Sequence, residues 1–312
     1  MRAMTTAQAG VVDVVLSTYA RGYANQEFVG QRIMPPADVP ARNVRQLKFG
    51  KESFRKLNTR RAPGGPILTV QYGYAADPIA LVQDALQGLV PVETQEEAAR
   101  IPGVDMGQQA VTMVMDQLDL GLEIDIAAIV RNPANYAASS KVALAGTSKW
   151  TDPASDPKSD VREAREAVRR LIGRYPNTLT LGATAFNAAA DHPKVKEQFK
   201  YVSADSVTEA MLARYFEVDE VIVGKAVYLP DGVADDQPAT DVWGGDAILS
   251  YRSKGGNWMV PSFGYTYRLK GYPLVETPWF DRDIKSWKYP TTQERRPYLV
   301  GADAGFLIQN AA

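Results

Sequence analysis

The hydrophobic pattern of the chain changes period several times, and each change marks an element. Between residues 107 and 131 the apolar positions Val111, Met115, Leu118, Leu122, Ile126 and Ile129 keep a 3.6-residue spacing. This predicts a helix over 107–131, opened by a capping box of Asp105 and Gln108 and closed at Asn132-Pro133. At 1.5 Å per residue it is roughly 37 Å long. Asp116, Asp119 and Glu123 make an acidic stripe on another of its faces. A second amphipathic helix is expected over 161–172, with Val161, Ala164, Val168 and Leu171 inward and Gly173 as its stop. A Pro/Asp/Ser-rich loop over 151–159 precedes it.

Upstream, residues 1–34 read as a helical arm, with Val11, Val15 and Tyr19 on one face and Pro35-Pro36 ending the pattern. Residues 40–80 read as a long hairpin. Leu47 and Phe49 share a face of the outgoing strand, and Leu68, Val70 and Tyr72 share one of the return strand. Ala62-Pro63-Gly64-Gly65-Pro66 between them is turn chemistry. A hairpin has too little core to stand alone, so it must lie on something else.

Downstream the pattern alternates short β and α runs. A strand over 178–181 leads into an Ala-rich helix over 184–190 that Pro193 ends. Ser206 and Glu209 form a capping box opening a helix over 207–216. Val221, Val223 and Val227 alternate with Ile222 and Tyr228 in one buried strand. The last third is β-rich: a strand over 247–252, alternation at Phe263, Tyr265, Tyr267 and Leu269, and a final strand with Phe306 and Ile308.

Composition narrows the classes. At 312 residues, 45% hydrophobic and 23% charged, the chain is an ordinary globular protein of two medium domains or one large one. With no cysteine there are no disulfides and no Cys-ligated metal. No apolar run approaches the length of a membrane span, and the first ten residues lack a signal-peptide core. No tandem repeat stands out.

Charge adds an asymmetry that the net value of −1 hides. Arg42, Arg45, Lys48, Lys51, Arg55, Lys56, Arg60 and Arg61 face a single acid, Glu52, so this segment is +7 and the rest of the chain is −8. A basic arm on an acidic body suits docking on a neighbouring copy, contact with nucleic acid, or a solvated edge.

Candidate chemistry is sparse. His192, the one histidine, stands beside Asp191, but there is no G-x-S-x-G nucleophile, and a His before a Pro at a helix end is read as structural. The 62–66 turn lacks the Lys-Ser/Thr of a phosphate loop. An acidic loop with Asp231, Asp235, Asp236 and Asp241 lacks EF-hand spacing and is read as solvated rather than as a divalent-ion site. Trp258, Tyr265, Tyr267, Tyr272, Trp279, Trp287, Tyr289 and Tyr298 could stack on bases, but their alternation favours sheet core and inter-subunit packing.

The runs LGATAFNAAADHPKV, EVIVGKAVY and DVWGGDAILSY, in this element order, closely resemble the major capsid proteins of tailed bacteriophages. The resemblance implies the α+β Hong Kong 97 type capsid fold. By it, 1–39 is an N-terminal arm and 40–80 the E-loop hairpin. Residues 81–176 with 263–312 form the peripheral domain around the long spine helix, and 177–262 the axial domain. It implies a structural protein, not an enzyme, with no cofactor and no metal. Its copies would form the pentamers and hexamers of an icosahedral head around double-stranded DNA, built in the host cytoplasm. Scaffold, portal and decoration proteins would be further partners, and DNA would be contacted weakly, without sequence specificity, by arm residues such as Arg2 and Arg21. The hairpin would dock on a neighbour, against Asp116, Asp119 and Glu123 or against Glu93, Glu96 and Glu97. The loop with Asp231, Asp235, Asp236 and Asp241 would sit at the capsomer axis. Lys48, Lys51 and Lys56 lie where some relatives cross-link, but nothing identifies an Asn partner or a catalytic acid. With only about 35 residues before the hairpin, a separate scaffold or none is expected. The alternatives are an encapsulin-type nanocompartment shell, which shares the fold, and a soluble α/β enzyme.

Overall fold

The structure, a computed structural model, describes residues 12–45, 59–61, 64, 67, 78–200, 207–234, 236–253, 260 and 262–312. Elements are numbered in chain order. Two sheets share one long helix, α4 (Met106–Val130). The helix opens where Asp105 accepts the backbone N–H groups of Gly107 and Gln108, which an α-helix cannot pair internally. It ends at Val130, two residues before Asn132-Pro133, so the expected span holds to within a residue at each end.

The first sheet is built on β14 (Ser286–Leu299). Along one side it pairs antiparallel with β4 (Val82–Pro91) over ten registered residues. Along the other it pairs in turn with β11 (Gly264–Leu269), β12 (Leu274–Val275) and β13 (Trp279–Asp281), and β1 (Pro36–Val39) adds parallel to β11. Val90 and Tyr289 pack with Val111 and Met115 on the N-terminal half of α4, and α1 (Val14–Gly22) adds Leu16 and Ala20 to the same cluster. On the opposite part of the sheet, Tyr265 and Tyr267 are buried with Ala37, Val39 and Ile79. The sheet core expected of these tyrosines is thus present.

The second sheet runs β5 (Lys141–Ala143), β15 (Gly305–Gln309), β10 (Ala247–Ser250), β6 (Thr178–Gly182) and β7 (Glu220–Gly224). Every residue of β6 and β10 is buried, because both faces are covered. One face carries α5 (Pro157–Ile172), α6 (Ala183–Asp191), α7 (Pro193–Phe199) and α8 (Glu209–Tyr215). The other meets Leu122, Ile126 and Val130 of α4, Trp243, and Ile33 of α2 (Gly30–Ile33). Each such aliphatic side chain contributes roughly 1.5–3 kcal/mol when fully buried. α5 ends where expected, at Gly173, whose φ of 73° is the left-handed value that glycine adopts without a steric penalty. Two small ribbons lie outside the two sheets: β2 (Asn43–Arg45) with β3 (Pro78–Ala80), the root of the expected hairpin, and β8 (Val227–Tyr228) with β9 (Thr240–Asp241). Leu47, Phe49, Leu68, Val70 and Tyr72, on which the rest of the hairpin expectation depends, lie outside the described residues.

Several local expectations are corrected. The arm helix buries Leu16, Ser17 and Ala20, while Val15 and Tyr19 face outward. Its register is set by the Asp13 cap and by packing on α4, which apolar spacing on a short helix does not reveal. α8 is capped by Thr208, which accepts from the Met211 N–H, while Ser206, expected in that place, lies outside the described residues. Pro193 both ends α6 and opens α7, whose first turn needs no N–H at that position. The strand expected over 221–228 breaks at Lys225-Ala226, and Val227 belongs to the β8–β9 ribbon. The 247–252 strand stops at Ser250. The largest correction concerns β15. It lies between β5 and β10, so 305–309 belong with the 178–182 and 247–250 strands and not with the 264–299 sheet, as β5 and α5 also do.

Candidate assembly surfaces

The hairpin is rooted by an ion pair. Glu294, almost fully buried on β14, takes Arg42 through two hydrogen bonds, Nε to Oε2 at 2.7 Å and Nη2 to Oε1 at 2.6 Å, and Tyr272 donates a third at 3.0 Å. The Arg42 guanidinium holds the Glu294 carboxyl below its ordinary value. A bidentate fork fixes direction as well as distance, so Arg42 is an intramolecular anchor rather than a free docking group. Arg45, Arg60 and Arg61 are exposed, and Arg60 and Arg61 already make polar contacts. Lys48, Lys51, Arg55 and Lys56 lie outside the described residues.

The spine carboxylates are not a surface stripe. Asp116 is half-buried and accepts from the Tyr23 hydroxyl at 2.5 Å and the Asn25 side chain at 2.8 Å. Burial, with the Asp116 carboxylate beside it, pushes the Tyr23 hydroxyl up to about 12. Asp119 is buried against Arg295 at 2.6 Å, and the same guanidinium donates to the Leu118 carbonyl. Glu123 is only 2% exposed and accepts from the Val29 and Gly30 N–H groups and the Trp243 indole. All three therefore serve as an internal seam that seats the arm, the first sheet and the 242–246 segment on the spine. Sequence spacing carries a signal for this. Asp119 stands four residues after Met115 and three before Leu122, and Glu123 three before Ile126, which places both within the apolar stripe.

The other expected acidic patch is open. Glu93, Glu96 and Glu97 stand exposed on α3 (Val92–Ala98), at the end of β4, and form no ion pair among the described residues. The β8–β9 ribbon and its loop hold Asp231, Asp236 and Asp241 in solvent, with Asp235 outside the described residues. Val227, Leu229 and Val233 are also well exposed there, so the ribbon presents apolar and acidic groups together.

His192 is built as a structural residue. Its Nδ1 accepts the Lys194 backbone N–H at 3.3 Å, which leaves the proton on Nε2. Nε2 faces the Asp152 carbonyl and the Ser155 hydroxyl, each at 3.2 Å. An Nε2–H cannot take the Ser155 proton, so the pair is not a nucleophile and base. Among the described residues no cluster of three or more His, Cys, Asp or Glu could hold a metal ion, and no helix is long and apolar enough to cross a membrane. A cavity of about 460 Å³ lies between the arm, the middle of α4 and the first sheet, lined by Arg21, Arg32, Arg268 and Arg295 among others.

Two sheets joined by one spine helix, with a hairpin root and an acidic ribbon, are the Hong Kong 97 type of fold. A holo encapsulin complex from Synechococcus elongatus PCC 7942 shares this fold at a TM-score of 0.57 over 92% of this chain and 88% of that one, with 11% identity. Phage capsid structures share it at similarly low identity. Closer likeness lies on the phage side. The family described as "Phage major capsid protein E" matches residues 135–260. The major capsid protein of Burkholderia phage BcepMu is 36% identical over 96% of both chains. The crystal structure of a phage-related protein from Bordetella bronchiseptica RB50 superposes at a TM-score of 0.84, with 41% identity over 97% of this chain and 99% of that one. The chain belongs to the phage major capsid protein family, and the encapsulin likeness is one of fold.

Proposed function

We propose that copies of this chain form the pentamers and hexamers of an icosahedral head, assembled in the host cytoplasm, that confines double-stranded DNA without reading its sequence. The observation that carries this is the likeness to a phage major capsid protein along 96% of both chains. The hairpin root and the exposed ribbon support it, since neither has a core of its own. Scaffold, portal and decoration proteins complete the assembly as partners. The chain has no catalytic role, a reading supported by the tautomer of His192. Subunit interfaces should be extensive, on the order of 2,000 Å² or more, as in obligate assemblies. Negative-stain microscopy of the purified protein should show closed particles. Isolated subunits, or shells filled with a protein cargo in place of DNA, would overturn the reading.

The hairpin's basic residues dock on the α3 carboxylates of an adjacent copy. With Asp119 and Glu123 committed internally, Glu93, Glu96 and Glu97 are the open acidic patch near the sheet edge. Each exposed pair contributes only about 0–1 kcal/mol, but a shell repeats it at every subunit. Arg55→Glu with Arg60→Glu should abolish shells while the chain stays folded, and Glu93→Lys with Glu97→Lys should restore them. Normal shells from the first pair would refute the docking.

A further inference from the structure

Of the two buried spine carboxylates, Asp119 pairs with Arg295, whereas Glu123 forms no ion pair among the described residues. Its three hydrogen bonds come from neutral donors: Val29 N–H at 3.0 Å, Gly30 N–H at 2.7 Å and the Trp243 indole N–H at 2.7 Å. The charged groups around it are each engaged elsewhere. On α4, Asp119 holds Arg295 of β14. On the arm, Arg32 pairs with Glu220, and Arg21 donates to the Gly271 carbonyl. On β11, Arg268 pairs with Asp38. Beyond Trp243, Asp246 pairs with Arg131.

The two sides that Glu123 joins are different parts of the molecule. Val29 and Gly30 open α2, on a stretch of arm whose Ile33 and Met34 are fully buried. The approach is close: a Cβ on Gly30 would lie 2.6 Å from Glu123 Oε2, so only glycine lets the carboxylate reach that N–H. Trp243 is also fully buried and stands two residues after the ribbon strand β9. The ribbon's base is itself stiff, because the Val242 N–H bonds the Ala226 carbonyl and Arg131 donates to the Val242 carbonyl. A shift of the ribbon therefore moves the indole, and the indole and the arm share one carboxylate.

We propose that Glu123 is a coupling joint, through which the position of the 227–241 ribbon and the seating of the 28–34 arm segment are set together. In a shell the ribbon would have to suit more than one ring size, and this joint would pass that adjustment to the arm; that use rests on the shell reading, whereas the coupling itself does not. A shared side chain couples two elements energetically only if its loss on one side is felt on the other.

Hydrogen exchange read by mass spectrometry tests this in whatever assembly the chain forms. Trp243→Phe removes only the ribbon-side donor. It should speed exchange of 28–34 by roughly tenfold or more, the scale of one lost hydrogen bond to a charged group. Glu123→Gln should speed exchange in both segments, and the double variant should match Glu123→Gln rather than add to it. Ile248→Val, which trims the same buried cluster without touching a polar bond, should leave 28–34 unchanged and so separates coupling from loosened packing. If Glu123→Gln fails to fold, the comparison of Trp243→Phe with Ile248→Val still decides. A Trp243→Phe effect confined to the ribbon, an equal arm response in Ile248→Val, or additive variants would each overturn the proposal.

Discussion

Asp119 and Arg295 are only 8% and 6% exposed, and the Arg295 Nε has no partner beyond the pair. Removing one member of such a buried pair leaves the other charge uncompensated, at about 3–5 kcal/mol. Asp119→Ala should therefore lower the unfolding midpoint far more than Glu96→Ala on exposed α3, a comparison that thermal or denaturant unfolding makes directly. Equal effects would show that the seam does not hold the fold. Two other carboxylates titrate with opposite sign. Burial, with the Asp119 charge beside it, raises Glu123, against the pull of its three donors. Its contribution is thus present below its unfolded pKa and lost as pH rises through the folded value. Arg42 lowers Glu294, whose contribution is present above its unfolded pKa and lost as pH falls through the folded one. Below the ordinary glutamate pKa, Glu294→Gln should remove the loss of stability seen on acidification, and above it Glu123→Gln should remove the loss seen as pH rises. At this scale the sequence was legible in residue type but not in partner. Asp116, Asp119 and Glu123 were seen as a stripe, yet the arginine that meets Asp119 is 176 residues away.

Elements were legible wherever one period ran long enough. α4 shows its cap, spacing and stop in the sequence and α5 its spacing and stop, because each has a dry face and a wet one. But α5 opens at Pro157 on an Asp156 cap, four residues before the expected start. Short strands did not show which sheet they join. Phe306 and Ile308 alternate as they would in either sheet, and only pairing on both sides, with β10 and β5, places β15 in the second. This matters for stability. Leu307 is fully buried on an interior strand of that sheet, against α4's core cluster. Leu307→Asp should prevent folding of the 133–253 region as well as of the C-terminus, since an unpaired buried carboxylate has no compensation there. Leu89→Asp, at an exposed position of β4, should be tolerated. Soluble yield and protease resistance of the two variants give the comparison. Persistence of a protected 133–253 core in Leu307→Asp would mean that β15 only decorates the sheet.

Across the whole chain, charge is concentrated in two segments. The hairpin segment is +7 by sequence, and the ribbon carries four aspartates between 231 and 241. The sequence made both visible as compositional shifts, while the geometry that roots them, Arg42 on Glu294 and Trp243 on Glu123, needed the fold. If the ribbon meets five or six copies of itself at a capsomer axis, like charges converge there. At physiological salt they are screened only beyond about 8 Å, so neighbouring carboxylates repel unless hydrated or bridged by cations. The exposed Val227, Leu229 and Val233 would pull the copies together against that repulsion. The balance makes the ring sensitive to ions while the subunit is not. Asp231→Ala with Asp236→Ala should leave the unfolding midpoint of the chain unchanged, because both side chains are exposed. The same variant should keep shells intact after divalent cations are chelated at low salt, conditions under which the wild-type capsomers should loosen. Particle integrity by light scattering reads the difference. Identical loss of particles in variant and wild type would place the ribbon away from the axis, and a lowered midpoint in the variant would show that these aspartates support the subunit itself.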